Sequence, residues 1–376
     1  MRLAQFRLTR FQFARDRVIG DSQVRADDVN CAALELIDDA GRTGLGFVQT
    51  LFTPLPDQSE ITRIFATEVW PSVEGQPPLG LIHRVNRPRG GNQRAPSLPF
   101  NEALQVALWD LAAKQAGLPL HTMLGSRRDR VPAYASGLDF HLPDEAFQSF
   151  FAHAAAIGYR AFKIKVGHPD LDRDLHRLQL LAKVIPTGSK VMIDANEAWG
   201  PKEAAMKLAA MARIHPIFWA EDPILRHDFE GLRLLRSIAG TQINSGEYLD
   251  LQGKRLLLQA GGADLLNVHG QVTEVMRIGW LAADMGVPVT MGNTFLEIGV
   301  HMATALPEVE WLEYSFQNFD HLVDEPVRIK DGFAYAPNRP GHGLVLSETA
   351  RATWARPQLL PRDALGAAPV NPRLPI

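Results

Sequence analysis

Residues 217–223 read Ile-Phe-Trp-Ala-Glu-Asp-Pro, a short apolar run that stops at two carboxylates and a proline. A run of this kind is typical of a buried β-strand that ends in a turn. Similar runs lie on either side, as Lys190-Val-Met-Ile-Asp-Ala-Asn196 and Gln242-Ile-Asn-Ser-Gly-Glu247, and the amphipathic segment 202–214 separates two of the three. Strands that alternate with helices in this way predict a parallel sheet covered by helices.

Polar residues at the ends of these runs recur at a nearly constant interval. Lys165 and Asp194 are 29 positions apart. Glu221 follows Asp194 by 27 positions and precedes Glu247 by 26. A βα-barrel of ~250 residues contains eight units of about 30 residues each. The interval therefore predicts such a barrel, with these residues at the carboxyl ends of its strands, where barrel enzymes carry their functional groups.

The amino-terminal part has a different pattern. Mostly alternating apolar residues in 6–13 and the run 31–37 predict antiparallel strands. Residues 55–125 have apolar residues at helical spacing, most clearly in 100–113. Gly117, followed by Leu-Pro, is expected to end that helix.

Composition excludes several classes of protein. The chain has 376 residues, 46% of them hydrophobic, and a formal net charge of −3, without a basic stripe that would bind nucleic acid. Cys31 is the only cysteine, so a disulfide within the chain and a cysteine-based zinc site are impossible. No run approaches the ~20 apolar residues of a membrane span, and the amino terminus has no signal-peptide core. We expect a cytoplasmic protein with no membrane partner.

Three acidic residues, Asp194, Glu221 and Glu247, follow successive predicted strands. Three anions at one end of a barrel repel each other unless a cation joins them. Oxygen ligands from separate strands suit a hard divalent ion such as Mg²⁺. The alternative is that each acid caps the helix that follows it, which is common for a single acid at a strand end. The near-equal spacing of all three favours the metal site.

Lys163 and Lys165 are two positions apart in one predicted strand, so both face the barrel interior. Buried lysines are costly unless they are paired. Near a metal and near each other, one of them can have a depressed pKa and act as a base. The alternative is that they simply pair with Asp194 and Glu221. The two interpretations are compatible, with Lys163 orienting and Lys165 moving the proton.

Four motifs together resemble the enolase superfamily, in its mandelate racemase and muconate-lactonizing enzyme branch. They are Lys163-Ile-Lys165, Asp194-Ala-Asn196, Glu221-Asp-Pro223 and Ser245-Gly-Glu247. The resemblance implies a modified (β/α)7β TIM-type barrel in residues 126–325 and an α+β capping domain in 1–125, completed by a carboxyl-terminal segment, 326–376.

The resemblance also implies a chemistry. One Mg²⁺ per active site would be held by Asp194, Glu221 and Glu247, and Lys165 would be an acid/base on one face of the substrate. Enzymes of this superfamily use a Lys or His base and Mg²⁺ to stabilise an enediolate. The expected partner is a small-molecule carboxylate, and a homo-oligomer is expected.

The second acid/base departs from the usual patterns of that branch. The seventh strand ends in Met291-Gly-Asn-Thr294, without the histidine of racemases, and Asp264-Leu-Leu-Asn-Val-His-Gly270 lacks the lysine of lactonizing enzymes. His269 is the substitute we expect, because an unperturbed pKa of ~6.5 suits protonation of a leaving hydroxide. The alternatives are that His269 is only hydrogen-bonded to a barrel loop, or that a metal-bound water is the acid.

Further residues are expected to contact substrate or to support the site. Asn196 faces the same side as Asp194, and Asn293 is a neutral donor. Glu313 could donate a hydrogen bond to the substrate carboxylate or be a salt-bridged rim acid. Asp222 is interpreted as a helix cap rather than as a support for the metal ligands. Cap residues with a possible role in reading the substrate are Phe47, His83, Arg87 and Arg89.

The function predicted from the sequence is dehydration of an acid sugar, an aldonate or an aldarate, to a 2-keto-3-deoxy acid. The absence of the racemase histidine favours this over the first alternative, a racemase or epimerase of a hydroxy or amino acid. The second alternative is a non-catalytic carboxylate binder. Intact Lys163 and Lys165 argue against it, because a binder needs no base.

Overall fold

The computed structural model describes residues 1–50, 54–85, 97–369 and 373, without the side chains of 83–85. The expectations for His83, Arg87 and Arg89 therefore lie outside the described side chains. Within the described part, no helix is long and apolar enough to cross a membrane.

The amino-terminal region is an antiparallel sheet with helices on one face. Its strands are β1 (Leu3–Gly20), β2 (Arg25–Asp38) and β3 (Thr43–Gln49), in that order in the sheet. Its helices are α1 (Gln58–Ile64), α2 (Pro78–Val85), α3 (Phe100–Ala116) and α4 (Leu120–Met123). The strands and the helix predicted from the sequence are confirmed. Gly117 ends α3 with a left-handed backbone, φ 69°, which favours glycine.

Two glycines let α3 lie directly on the sheet. A Cβ atom at Gly46 would lie 2.0 Å from the carbonyl oxygen of Ala103, and one at Gly44 would lie 2.1 Å from that of Ala107. Both contacts are with helix backbone, which cannot move aside as a flexible side chain can. The Gly-Leu-Gly sequence of β3 therefore sets how closely the helix and the sheet of the cap approach.

The second region is a closed parallel barrel, as predicted. Its strands are β4 (Arg130–Ser136), β5 (Ala161–Lys165), β6 (Lys190–Asp194), β7 (Ile217–Glu221), β8 (Gln242–Ser245), β9 (Leu265–Val268), β10 (Val289–Met291) and β11 (Val309–Tyr314), and β11 pairs with β4 to close the ring. Its helices are α5 (Asp144–Ala156), α6 (Leu171–Val184), α7 (Pro201–Met211), α8 (Phe229–Ile238), α9 (Leu251–Ala260), α10 (Val272–Asp284) and α11 (Gly299–Ala305). Seven strand–helix units followed by a last strand confirm the (β/α)7β form.

Alternation along β5 separates the core from the barrel interior. Phe162 packs outward, with its ring 6.2 Å from that of Phe151 on α5. Lys163 and Lys165 point inward and are nearly inaccessible to solvent. The strand thus uses one face for packing and the other for chemistry.

The carboxyl-terminal part contacts both regions. The hairpin of β12 (Arg328–Lys330) and β13 (Phe333–Tyr335) pairs antiparallel with β4. After α12 (Glu348–Trp354), the chain runs along β1, where the Arg10 guanidinium donates hydrogen bonds to the carbonyls of Arg356 and Gln358. The tail therefore ties the barrel to the cap.

The close approach at Gly46 leads to a stability prediction. Gly46→Ala should lower the free energy of unfolding by about 1–3 kcal/mol, because the added methyl group has to displace the backbone of α3. Gly240→Ala is the matched control, since a Cβ there meets nothing within 4 Å. It should change stability by less than about 0.5 kcal/mol. Denaturant midpoints measure both, and equal effects would contradict the packing argument.

Candidate active site

Adjacent parallel strands place the predicted site residues side by side. In the register of the barrel, Lys165 on β5 is opposite Asp194 on β6, and Asp194 is opposite Glu221 on β7. Glu247 lies two residues beyond the end of β8. These four residues therefore lie at one end of the barrel, as the sequence spacing predicts.

The two lysines are paired with the acids around them. The Nζ of Lys163 lies 2.5 Å from Glu221 Oε1, 3.2 Å from Glu313 Oε1 and 3.4 Å from Asp194 Oδ2. The Nζ of Lys165 lies 2.5 Å from Asp194 Oδ2 and 2.9 Å from Asn196 Oδ1. In this structure, therefore, Lys163 and Lys165 pair with Glu221 and Asp194, as the alternative interpretation of the two lysines predicts.

Pairing determines the charge state of the lysines. Burial alone would lower the pKa of Lys165, but the attraction of Asp194 outweighs burial and raises this pKa above its usual value. The pKa of Lys163 is raised in the same way by Glu221 and Glu313. The prediction that one lysine has a depressed pKa is therefore wrong for the structure with the lysines paired to acids. Each ammonium group has a carboxylate within hydrogen-bond distance.

The acids respond unequally to the same neighbours. Although burial opposes ionisation, Lys165 and Lys163 hold the pKa of Asp194 at about 2. Burial raises the pKa of Glu247 to about 8, and repulsion from Asp194 adds to it. Burial also raises the pKa of Glu221 well above its usual range. The lysine charges therefore outweigh burial at Asp194, whereas burial outweighs them at the two glutamates.

The acids have the right chemistry for a divalent cation, although Asp194 and Glu221 are paired with the lysines. Among the described residues, no group of three or more His, Cys, Asp or Glu side chains forms a ready-made metal-ligand set. Asp194, Glu221 and Glu247 nevertheless offer only carboxylate oxygens, the donors that Mg²⁺ prefers. Two ammonium groups face four carboxylates here, so a cation would relieve the excess negative charge.

Buried hydrogen bonds fix the loop that carries Glu247. Asp222 Oδ1 accepts from Ser245 Oγ at 2.6 Å and from the Gly246 amide at 3.1 Å. The ammonium group of Lys254 donates to the carbonyls of Gly246 and Glu247. The interpretation of Asp222 as a helix cap is wrong, since Asp228 caps α8 instead. No pattern in the sequence points to Lys254, because it lies within helix α9 and not at a strand end.

His269 lies at the site in an uncharged form. It follows β9, lines the cavity described below, and its ring stands edge-on to Tyr248 at 6.0 Å between centroids. Burial, together with the nearby charge of Lys254, lowers the pKa of His269 to about 4. The unperturbed pKa assumed from the sequence is therefore wrong for this environment.

Glu313 and Asn293 are joined to each other. The backbone N–H of Asn293 donates to Glu313 Oε2 at 3.0 Å, and Gln317 Nε2 lies 3.4 Å from the side-chain oxygen Oδ1 of Asn293. Burial opposes ionisation of Glu313, but Lys163 and Lys165 keep its pKa below the usual range. Glu313 is therefore salt-bridged, to Lys163, which is the second of the two roles predicted for it. An ionised Glu313 accepts hydrogen bonds and cannot donate one.

A cavity of about 550 Å³ lies between the barrel end and the cap. Its walls include Lys163, Lys165, Asp194 and Glu247 from the barrel. The turn between β1 and β2 closes one side, where Gln23 Nε2 donates to the Asn196 carbonyl. The sequence did not point to this turn, because about 170 residues separate it from the barrel loop that it contacts.

The structure adds an ion pair to the cavity wall and places Phe47 behind that wall. Arg226 and Glu197 line the cavity as an ion pair, with Nε–Oε1 2.5 Å and Nη2–Oε2 2.6 Å. Phe47 does not line this cavity; it stacks at 4.5 Å on Phe295, which does. Ion pairs between distant loops leave no periodic pattern in a sequence.

Comparison with known proteins agrees with the fold. The family model described as "Enolase C-terminal domain-like" matches residues 147–350, more than half of the chain. The chain belongs to this enolase family. The match covers barrel strands β5 to β11 and with them every predicted metal ligand and both lysines.

Three similar proteins illustrate the range of the family. The chain is 70% identical to a candidate mandelate racemase from Mesorhizobium loti of known structure, with a TM-score of 0.96 over 100% of both chains. It is 27% identical to L-talarate dehydratase from Polaromonas sp. JS666, solved with Mg and L-glucarate, with a TM-score of 0.80 over 94% of this chain and 97% of that one. It is 30% identical over 254 residues to L-talarate/galactarate dehydratase of Salmonella typhimurium.

The Salmonella alignment covers 66% of this chain and 63% of that relative, so the chain spans less than two thirds of its length. Other relatives are named as dehydratases of acid sugars or as epimerases. Two further relatives are named as cycloisomerases, so the relatives divide among at least three reaction classes.

Proposed function

We propose that the protein is a magnesium-dependent enzyme that removes the proton next to a substrate carboxylate and dehydrates an acid sugar to a 2-keto-3-deoxy acid. The observation that carries the proposal is Lys165, a buried lysine at the cavity, 2.5 Å from a carboxylate that is itself a candidate metal ligand. A base and a cation site side by side are what removal of a very weakly acidic proton needs.

The metal part of the proposal assigns Asp194, Glu221 and Glu247 as ligands of one Mg²⁺. When bound, the ion supplies positive charge where negative charge develops on the substrate carboxylate. The fit rests on the donor chemistry and on the two glutamates, where burial outweighs the lysine charges.

Lys165 is assigned as the base and Lys163 as a cation that orients the substrate. Lys165 has to be neutral to take a proton, and its attraction to Asp194 opposes this. Any arrangement that withdraws the Asp194 carboxylate from Lys165 removes the main cause of the raised pKa. Lys163 keeps Glu221 and Glu313 as partners and stays charged.

The remaining assignments concern the substrate. Asn196, Asn293 and Glu313 are proposed to bind it, since all three line the cavity beside the lysines. His269 is proposed to return a proton to the departing hydroxide. A neutral imidazole has to be protonated in each turnover before it can do so.

An epimerase is the second candidate, because epimerases are also among the relatives. An epimerase needs a second group on the opposite face of the substrate that both donates and accepts a proton. Among the described cavity residues only His269 lies outside the lysine–acid cluster as an uncharged base. A dehydratase needs His269 only to donate one proton to the leaving hydroxide, and not to accept one as well.

Metal binding can be tested without turnover. Mg²⁺ should raise the stability of the wild type by about 2.7 kcal/mol at 100 times its Kd, since only the folded site binds it. Glu247→Gln should abolish most of this shift, because one ligand loses its charge. Glu145→Gln, which changes an exposed acid on α5, should keep it. Thermal unfolding with and without Mg²⁺ measures all three, and an unchanged shift in Glu247→Gln would remove the assigned site.

The reaction can be tested by a screen of acid sugars with Mg²⁺ that detects 2-keto acids, combined with hydrogen exchange in deuterated water. Lys165→Ala should lose exchange at the α-carbon by a factor of about 10² or more, the usual contribution of a general base, while still binding substrate. Chelation of the metal should stop turnover. Exchange that persists in Lys165→Ala would exclude this lysine as the base.

A variant of His269 distinguishes dehydration from epimerisation. His269→Asn should keep exchange at the α-carbon but lose product formation if His269 protonates the leaving group. Equal loss of exchange and of product would instead assign it to substrate binding or to structure. Exchange without loss of water in the wild type would favour the epimerase.

A further inference from the structure

The cavity has a second wall that the proposed chemistry does not use. This cap-side wall consists of Asp21, Gln23, Gln49 and Glu102, which come from the amino-terminal region and line the same cavity as the lysines. A substrate held by its carboxylate at the barrel end would present its far end to this wall. The wall therefore bears on which acid fits.

Glu102 is a carboxylate without a partner. It receives no hydrogen bond and no ion pair from the described part of the chain, and it also lines a smaller apolar cavity beside Phe47 and Phe295. Glu102 is exposed, so its charge is accessible from the cavity. The side chain of Glu102 lines the cavity.

Glu102 is an acid in the first turn of α3, where negative charge stabilises the start of a helix, but it makes no capping hydrogen bond. It is the third residue of α3, where a glutamate commonly accepts a hydrogen bond from the amide of the N-cap residue. Here the N-cap residue is Pro99, which has no amide hydrogen. The position thus offers Glu102 no reciprocal capping bond, which leaves the cavity as its functional environment.

The cations of the cavity are already engaged. Among the described cavity residues the lysines and arginines are Lys163, Lys165 and Arg226. Both lysines belong to the chemistry, and Arg226 is held by two hydrogen bonds to Glu197 and lies 4.6 Å from the centre of the Tyr248 ring. A second carboxylate on a substrate would find no free cation in this part of the chain.

We infer that the site takes a monocarboxylic acid sugar, an aldonate with a neutral hydroxymethyl far end, and that Glu102 is a specificity residue that rejects a second carboxylate. This inference rests on the proposed function and narrows its substrate class. Hydroxyl groups can donate to Glu102 and Asp21 and exchange hydrogen bonds with the amides of Gln23 and Gln49. A carboxylate at the same place would lose water, gain no free cation from the described cavity residues and face Glu102.

The test uses pairs of acids that differ only at the far end: D-gluconate with D-glucarate, and D-galactonate with galactarate. Binding in the presence of Mg²⁺ and kcat/KM for 2-keto acid formation are measured for the wild type and three variants. Whichever pair is used, the wild type should prefer the monocarboxylate by at least about tenfold, a modest effect for two charges near each other in a partly buried site.

The variants separate charge from shape. Glu102→Gln keeps the size of the side chain and should improve binding and kcat/KM of the dicarboxylates by about tenfold, with little change for the monocarboxylates. Glu102→Asp keeps the charge and should keep the discrimination. Glu145→Gln removes an equal charge from the exposed surface and should behave as the wild type.

Each outcome bears on one of the two claims. A wild type that prefers the dicarboxylates, or a Glu102→Gln variant that folds and leaves the ratio unchanged, overturns the inference and leaves the proposed function intact. Absence of Lys165-dependent exchange with all four acids overturns the proposed dehydration of acid sugars and the inference with it.

Discussion

Two buried ammonium groups surrounded by four carboxylates are the constraint around which the barrel end is built. Charges inside a protein are costly unless oppositely charged groups lie within contact distance. Lys163 therefore needs Glu221 and Glu313, and Lys165 needs Asp194, at the distances that the structure shows. Only a closed parallel barrel brings side chains from β5, β6, β7 and β11 to one point in this way.

The same arrangement makes the site adjustable. Burial and then repulsion from Asp194 raise the pKa of Glu247 to about 8, whereas Lys165 and Lys163 outweigh burial and hold that of Asp194 at about 2. A site in this state has a strong tendency to bind a cation or a proton. The loop bonds from Asp222 and Lys254 hold Glu247 in place while its charge changes.

The cap provides what the barrel lacks, a wall over the open end. Close contact of α3 with β3 through Gly44 and Gly46 places Glu102 at the cavity, and the turn between β1 and β2 reaches the barrel loop at Asn196. The family relationship covers the barrel and its chemistry. Dehydratases and epimerases among the relatives indicate that residues outside this shared set determine the substrate and the outcome.

The sequence by itself determined the barrel, the three acids and the inward lysines, because strand alternation and the repeat of nearly 30 residues are local and periodic. It could not determine the charge states of Lys165 and His269, the partner of Asp222, or the position of Glu102 at the cavity. Those depend on groups that lie far apart in the chain and meet only after folding, such as Asp222 with Ser245 and His269 with Lys254. Electrostatic energies fall steeply with distance and change with burial, so the tertiary structure alone decided them.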